Sequence, residues 1–232
     1  MNHEQKACSS AAGEGGFSLT EQLVVVAIIL IISAIAIPSL SRTMRNYKTS
    51  GDARGLADVV MEAKMAAAAS FTHGRAYFDL SSGKYRIETW DQTGSSSFCS
   101  GTPCWKPQIS SGGVAESYVL SSAVTAGYGS IANPPANTQG TIGQAPLCTD
   151  NTHDTGTSTV ANTACIEFNS RAVPICTTTT CGIGTATAID AYYINDGASV
   201  YAITASATGN VSLWRADISS GACGNNSCWT KQ

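Results

Sequence analysis

The 232 residues carry a formal net charge of −3 at pH 7, so their electrostatics do not favour nucleic acid as a partner. The sequence has only three histidines, and no serine, histidine and acid stand together in a recognisable catalytic context. Composition therefore excludes a strongly basic binding protein and gives no indication of an enzyme, a metal site or a cofactor.

The first predicted element is an apolar segment close to the N-terminus. Within residues 23–37 only Ser33 is not apolar, and residues 22–40 carry no charge. A helix over residues 17–40 would be about 36 Å long, which is enough to cross a hydrocarbon core of about 30 Å with some tilt. This segment is therefore predicted to span a membrane.

The sequence Gly-Phe-Ser-Leu-Thr-Glu at positions 16–21 opens this segment. A secretory signal peptide has its small-residue cleavage site after the apolar region, but no such site follows Ile37. The plausible cleavage site here, between Gly16 and Phe17, precedes the apolar region. We therefore interpret residues 1–16 as a detachable leader and the segment after them as an anchor.

Glu21 is an acid at the N-terminal end of the apolar helix, where an ionised carboxylate without a partner costs a few kcal/mol. One explanation is a capping box, because Ser18 and Glu21 have the S/T-x-x-E spacing that satisfies free N–H groups at a helix start. An acid at that position also complements the helix dipole. Capping accounts for these two residues but not for the Gly-Phe junction before them.

Gly16, Phe17, Glu21 and the apolar run resemble the class III signal of type IV pilins and type II secretion pseudopilins. In that family a prepilin peptidase cuts after the glycine and methylates the new N-terminus. The resemblance implies cleavage between Gly16 and Phe17 and N-methylation at Phe17. It also implies that Glu21 pairs with a neighbouring subunit's terminal amine during assembly, and that Pro38 kinks the helix.

The same resemblance implies a location and a set of partners. It places the chain in the inner membrane with a single span, with its C-terminal domain in the periplasm, and later in a filament or pseudopilus. The implied partners are prepilin peptidase, other pilins or pseudopilins, inner-membrane lipid and a secreted cargo. Two features depart from the family: the leader has one lysine against two glutamates, and basic residues follow the span. Under the positive-inside rule those residues favour a cytoplasmic flank; they are Arg42, Arg45 and Lys48.

Beyond Pro38 apolar residues recur at steps of three or four as far as Phe71, which predicts that the helix continues. Gly51 and Gly55 are expected positions of bending. We therefore predict one long helix over residues 17–72, with the transmembrane segment at 17–40. An alternative is two helices divided at Pro38.

Residues 73–232 are rich in glycine, serine and threonine, and alternating aromatic residues replace the helical period, which predicts a β domain. The predicted fold class is α+β and pilin-like, in which the long helix packs on a C-terminal antiparallel sheet. The polar tracts 92–116 and 125–163 are interpreted as loops that hold short strands or are pinned by disulfides. Strands are predicted at 76–80, 84–90, 117–124, 165–169, 188–194, 199–205 and 210–215, the last three as a meander.

Eight cysteines remain once the leader, with Cys8, is removed. An even number suits disulfides, which indicate a periplasmic or extracellular domain. Three pairs share C-x4-C spacing, which favours local bridges, although about 105 connectivities are possible. A zinc site is the alternative, but these pairs lack the closer spacing of most zinc fingers, and His73 and His153 are isolated. The favoured bridges are Cys99 to Cys104, Cys176 to Cys181, Cys223 to Cys228 and Cys148 to Cys165.

Two further binding sites can be considered from the sequence. Residues 150–154 offer oxygen ligands to calcium, but a solvated loop is the better explanation of them. Arg171, Trp214, Arg215 and Lys231 would form a nucleic-acid patch only if the fold brings them together.

Residues 166–168 and 201–211 resemble the closing strands of H-type pseudopilins and FimT-like minor pilins. Relatives that bind DNA carry Gly-Arg-x-Arg, whereas residues 209–212 here read Gly-Asn-Val-Ser. The resemblance thus implies a minor pilin or an H-type minor pseudopilin, which acts by assembly and not by turnover. The alternatives are a pilus-tip module for DNA uptake or adhesion, and an ordinary periplasmic protein with an uncleaved membrane anchor.

Overall fold

A computed structural model describes residues 18–150, 158–177, 182–187, 190–218 and 228–232 of the chain. The chain divides after Met44 into a small N-terminal unit and a larger unit, Arg45–Gln232. As the sequence predicts, one long apolar helix is followed by antiparallel β-sheets, so the fold class is α+β and consistent with a pilin-like fold.

The helix, α1, spans Leu19–Ala69 and passes through Pro38 without interruption. The alternative of two helices divided at Pro38 is therefore wrong. The helix ends earlier than the predicted residue 72 because Phe71 has a φ of 50°, in the left-handed region that stops a helix. The Thr72 amide closes the end by donating to the Ala67 carbonyl at 3.2 Å.

Eleven strands are present in the part of the chain that the structure describes, and they form two antiparallel sheets. Sheet I has the order β3-β2-β1-β6-β7, with β4 also paired to β2, and sheet II has the order β11-β10-β9-β8-β5. The strands are β1 (Gly74–Asp79), β2 (Lys84–Asp91), β3 (Cys104–Pro107), β4 (Tyr118–Val119), β5 (Thr125–Ala126), β6 (Thr163–Phe168), β7 (Pro174–Ile175), β8 (Ala191–Asn195), β9 (Ser199–Ala205), β10 (Val211–Asp217) and β11 (Thr230–Lys231).

The predicted hairpin β1–β2 and the predicted meander β8–β9–β10 are both present. The strand predicted at 117–124 is mostly wrong, because only β4 forms there. Its continuation turns away, with the Leu120 amide bonded to the Gly83 carbonyl and a turn from Ser121 to Val124. The polar tract 92–116 contains β3, and the tract 125–163 begins with β5, so neither is wholly a loop.

The main core lies between the second half of α1 and both sheets. Leu56, Val60 and Ala63 of the helix are fully buried against apolar residues of sheets I and II. The helix approaches β1 so closely that a Cβ at Gly74 would lie 2.6 Å from the Ala63 carbonyl oxygen. Glycine at position 74 therefore permits this packing.

A second apolar cluster lies on the other face of sheet II. Tyr193, Val200 and Ala202 pack there against Ile131 of the long connection and Trp229 near the C-terminus. The Trp229 indole also donates to the Asn133 carbonyl at 2.8 Å. Sheet II is therefore covered on both faces, which agrees with the uniformly buried side chains of β9.

Candidate functional site

The start of α1 is capped by Ser18, the residue before the helix. The Glu21 amide donates to the Ser18 hydroxyl at 3.2 Å, and the Gln22 amide donates to the Ser18 carbonyl at 3.1 Å. The first bond satisfies an N–H group that has no partner inside the helix, and the second is the first turn's own main-chain bond. The capping role expected of Ser18 is thus present, but it uses the main chain of Glu21.

The carboxylate of Glu21 projects from the first turn of the helix and is exposed. Among the residues from Ser18 onward that the structure describes, none forms a hydrogen bond or ion pair with this carboxylate. Capping therefore does not use the charged group of Glu21. Gly16 and Phe17, the predicted processing and methylation residues, lie outside the described residues.

The apolar half of α1 follows directly after this acid. Residues 22–41 carry no charged side chain and would be about 30 Å long as a helix. Their large apolar side chains are all at least half exposed, from 50% for Val25 to 71% for Ile35. The helix is long and apolar enough to span a membrane. Pro38, where a kink was predicted, lies within this helical stretch.

Two disulfides link described residues, and both were expected, one from its C-x4-C spacing and the other as the pair that remained. Cys99 bonds to Cys104 and Cys148 bonds to Cys165, with Cα–Cα distances of 5.5 and 4.9 Å. The second bridge joins a long polar connection to strand β6. Cys176 and Cys228 are also disulfide-bonded. Their predicted partners, Cys181 and Cys223, lie outside the described residues.

The fold sets His73 beside an acid that is distant in the sequence. Its Nδ1 lies 2.8 Å from Oε1 of Glu167. The register of β1 with β6 brings the two together, and a sequence does not show that register. No group of three or more His, Cys, Asp or Glu side chains among the described residues is arranged to hold a metal ion. Of the residues considered as calcium ligands, 151–154 lie outside the described residues.

Two of the four residues considered for nucleic-acid binding come together at the edge of sheet II. Trp214 faces Lys231 across the β10–β11 pair, with the lysine Nζ 5.7 Å from the ring centre. Arg215 is the next residue along, but it forms an ion pair with Asp217 at 2.8 Å. Arg171 lies in the turn between β6 and β7, in sheet I. The edge therefore carries little net positive charge.

An apolar groove of about 700 Å³ lies between α1 and the edge strand β3. Met65, Ala66 and Ala69 form its helical wall, and residues 106–109 form the opposite wall. The Gln108 amide spans the groove and donates to Glu62 at 3.1 Å. The groove was not predicted from the sequence, although Met65, which lines it, is exposed and lies off the buried stripe of the helix.

Comparison of the chain with family models, with curated proteins and with solved structures finds no match. The features on which a function can be argued are therefore those of the chain itself. They are the capped helix start, with an acid that has no partner among the described residues, the uncharged exposed helix, and a disulfide-bonded domain of two sheets.

Proposed function

We propose that this protein is a structural subunit of a membrane-assembled filament, a minor pilin or an H-type minor pseudopilin of a type IV pilus or a type II secretion system. One observation carries the proposal: the exposed, uncharged half of α1 begins with Glu21, whose carboxylate has no partner among the described residues. A lone membrane anchor needs the apolar helix but does not need the acid.

In this proposal the precursor is held in the inner membrane by residues 17–40. Prepilin peptidase cuts between Gly16 and Phe17 and methylates the new terminus. The apolar helix then leaves the lipid and packs among the helices of other subunits. The uncharged stretch of 22–41 suits both surroundings, because lipid and a bundle of apolar helices both favour apolar side chains.

Glu21 selects and positions the neighbour in this mechanism. A carboxylate in apolar surroundings is costly without a partner, and an N-terminal ammonium of another subunit supplies the opposite charge. The Ser18 cap supports this role, because it satisfies the amide of Glu21 and leaves both carboxylate oxygens for the neighbour. The fold supports a periplasmic C-terminal domain, since disulfides persist in oxidising compartments.

The proposal is tested by replacing Glu21 with glutamine, which keeps the shape of the side chain and removes its charge. Gln22→Ala is a matched control, because it changes an exposed, uncharged residue in the same turn. Both variants should be cleaved and inserted in the membrane like the wild type. Only Glu21→Gln should be depleted in sheared or pelleted filaments, by tenfold or more. Normal incorporation of Glu21→Gln would contradict the proposed role.

A binding module at the filament tip, for DNA uptake or adhesion, is the second candidate. The contact of Trp214 with Lys231 favours it, because an aromatic ring beside a cation suits single-stranded nucleic acid. The full chain in detergent would then be retained on single-stranded DNA at low salt and released at high salt. Loss of retention in a Trp214→Ala, Lys231→Ala variant would support this candidate, and no retention at low salt would dispose of its DNA version.

A further inference from the structure

A short basic segment of α1 follows the uncharged stretch 22–41. Residues 42–51 contain Arg42, Arg45 and Lys48 and no acid, so they carry a formal charge of +3 in a chain whose net charge is −3. All three side chains are exposed. No residue in the described part of the chain forms a hydrogen bond or an ion pair with them. We refer to Arg42, Arg45 and Lys48 as the basic cluster.

Two acids near the basic cluster are bonded to other groups. Asp52, four residues after Lys48, accepts hydrogen bonds from the amide and the hydroxyl of Ser121, at 2.8 and 3.2 Å. Asp196 accepts from the hydroxyl of Thr49, the residue after Lys48, at 2.9 Å. Neither carboxylate forms an ion pair with the cluster. The cluster therefore has no anionic partner among the described residues.

The basic cluster occupies one side of α1. Residues three apart in a helix are turned by about 60° from each other, so 42, 45 and 48 lie within about a third of the circumference. Met44 and Tyr47, which are 53% and 76% exposed, lie outside this arc. The segment therefore has a cationic side next to an exposed apolar side.

The basic cluster also lies where a spanning helix leaves the hydrocarbon core. The stretch 22–41 is about as long as that core is thick, about 30 Å, and Arg42 follows it directly. From Arg42 to Lys48 the helix rises about 9 Å, and each headgroup layer is about 5–8 Å thick. In a membrane the three charges would therefore lie at the depth of the lipid headgroups, with Tyr47 at the level where aromatic residues are enriched.

Anionic phospholipids have the headgroup chemistry that complements this cluster. Their phosphate oxygens accept charge-assisted hydrogen bonds, and a guanidinium matches phosphate with its planar fork of donors. A zwitterionic headgroup offers the same phosphate, but its own ammonium group cancels the net charge. Each basic side chain at an anionic membrane surface strengthens binding about fivefold. Three of them together therefore distinguish an anionic headgroup from a zwitterionic one.

We propose that Arg42, Arg45 and Lys48 bind the headgroups of anionic phospholipids and thereby fix the depth of α1 in the bilayer. This inference rests on the membrane span of the proposed function, but not on cleavage, methylation or filament assembly. It holds in either leaflet, because the headgroup layer has the same thickness and chemistry on both sides.

Native mass spectrometry of the full chain in detergent tests the proposal, with phosphatidylglycerol and phosphatidylcholine added at equal concentration. The wild type should retain phosphatidylglycerol about tenfold more than phosphatidylcholine, or better. The triple variant Arg42→Gln, Arg45→Gln, Lys48→Gln should lose most of this preference, because it keeps the helix and removes the charges. A wild type without preference, or a triple variant with the wild-type preference, would overturn the proposal.

A second triple variant is the matched control. Arg54→Gln, Lys84→Gln, Arg171→Gln also replaces two arginines and one lysine, all of them exposed, so the net charge changes equally. This variant should keep the preference of the wild type. An equal loss in both triple variants would overturn the proposal, because net charge and not the cluster would then select the lipid. Displacement of the lipid by inorganic phosphate at constant ionic strength would also overturn it, because the cluster would then bind free phosphate.

Membrane insertion is measured separately, by alkaline extraction of membranes that contain each protein. The wild type and both triple variants should stay in the membrane, because all of them retain the uncharged stretch 22–41. Insertion without a preference for anionic lipid would overturn this inference alone. Release of the wild type by alkali would contradict the membrane span, and with it both this inference and the proposed function.

Discussion

The hydroxyl of Tyr192, in sheet II, accepts a hydrogen bond from the amide of Ile166, in sheet I, at 2.9 Å. The same hydroxyl donates to the carbonyl of Ala76, the residue opposite Ile166 in the sheet register, at 2.5 Å. Tyr192 is fully buried, so no water replaces these bonds. One side chain thus joins the main chains of β1 and β6 to β8.

Replacement of Tyr192 by phenylalanine should therefore destabilise the fold without changing its core volume much. It leaves a buried amide and a buried carbonyl without their partner, at a cost of about 1–3 kcal/mol in the free energy of unfolding. Denaturant titration of the full chain in detergent measures this loss. Tyr128→Phe, at a partly exposed tyrosine, is the control and should change stability by less than about 0.5 kcal/mol. Equal effects at the two positions would contradict the proposed tie between the sheets.

The elements of this fold could be predicted from local pattern, but the partition of strands between sheets could not. Alternation of side chains and the Asn-Asp-Gly turn place β9 at its observed bounds, Ser199–Ala205. The pairing of β1 with β6 joins segments about 90 residues apart, so no turn sequence predicts it. His73 illustrates the consequence, since its contact with Glu167 exists only in that register.

The candidate site could likewise be predicted from the sequence only in part. Ser18 and Glu21 have the spacing of a cap, and the structure shows the cap. The spacing does not reveal whether the carboxylate or the amide of Glu21 takes part in it. Arg75 and Glu88 were not considered from the sequence, and both are buried where a long connection contributes Thr149. Tertiary packing of a long loop decides their surroundings, and local pattern carries no sign of it.

Thr49 of α1 donates to Asp196 in the β8–β9 turn at 2.9 Å, so Thr49→Val should weaken the contact between helix and domain. Burial alone raises the pKa of Asp196, but bonds from the amides of Ser199 and Ala198 and from Thr49 outweigh it, so the pKa is lowered overall. The charged acceptor makes the expected loss about 1.5–3 kcal/mol at pH 7.

This loss should shrink in acid. An acid with a lowered folded pKa contributes stability that is present above its unfolded pKa and is lost as pH falls through the folded pKa. The difference in unfolding free energy between Thr49→Val and the wild type should therefore shrink as pH falls below 3.8, the ordinary pKa of aspartate, and through the folded pKa of Asp196. The control is Thr72→Val, which removes a bond to the neutral carbonyl of Trp90 and should cost the same throughout the titration. A loss at Thr49 that is constant with pH would show that the charge of Asp196 is not involved.

The two described disulfides should differ in their contribution to stability. Cys148–Cys165 closes a loop of sequence separation 17, and Cys99–Cys104 one of separation 5. By chain entropy, removal of the first should cost about 3 kcal/mol and removal of the second about 2 kcal/mol. Each disulfide is removed by replacing both of its cysteines with alanine. The two variants can be compared because all four cysteines are buried. A larger loss for the shorter loop would contradict the entropic account.

Gly74 should tolerate no side chain, because α1 and β1 are in contact there. A Cβ at this position would lie 2.6 Å from the Ala63 carbonyl oxygen and 3.0 Å from the Cβ of Ala67, so main chain must move. Gly74→Ala should lower the free energy of unfolding by about 1–3 kcal/mol. Gly112→Ala is the control, since nothing lies within 4 Å of a Cβ there. A neutral Gly74→Ala would mean that the helix sits further from the strand.

The central claim is that the chain is a processed filament subunit and not a protein with a permanent, uncleaved anchor. Intact-mass and N-terminal peptide mass spectrometry of the protein from its native membranes tests this claim most directly. We predict a chain that begins at Phe17, carries one additional methyl group on its terminal amine and retains residues 17–232. A chain that still begins at Met1, with an unmodified Gly16–Phe17 bond, would contradict the account.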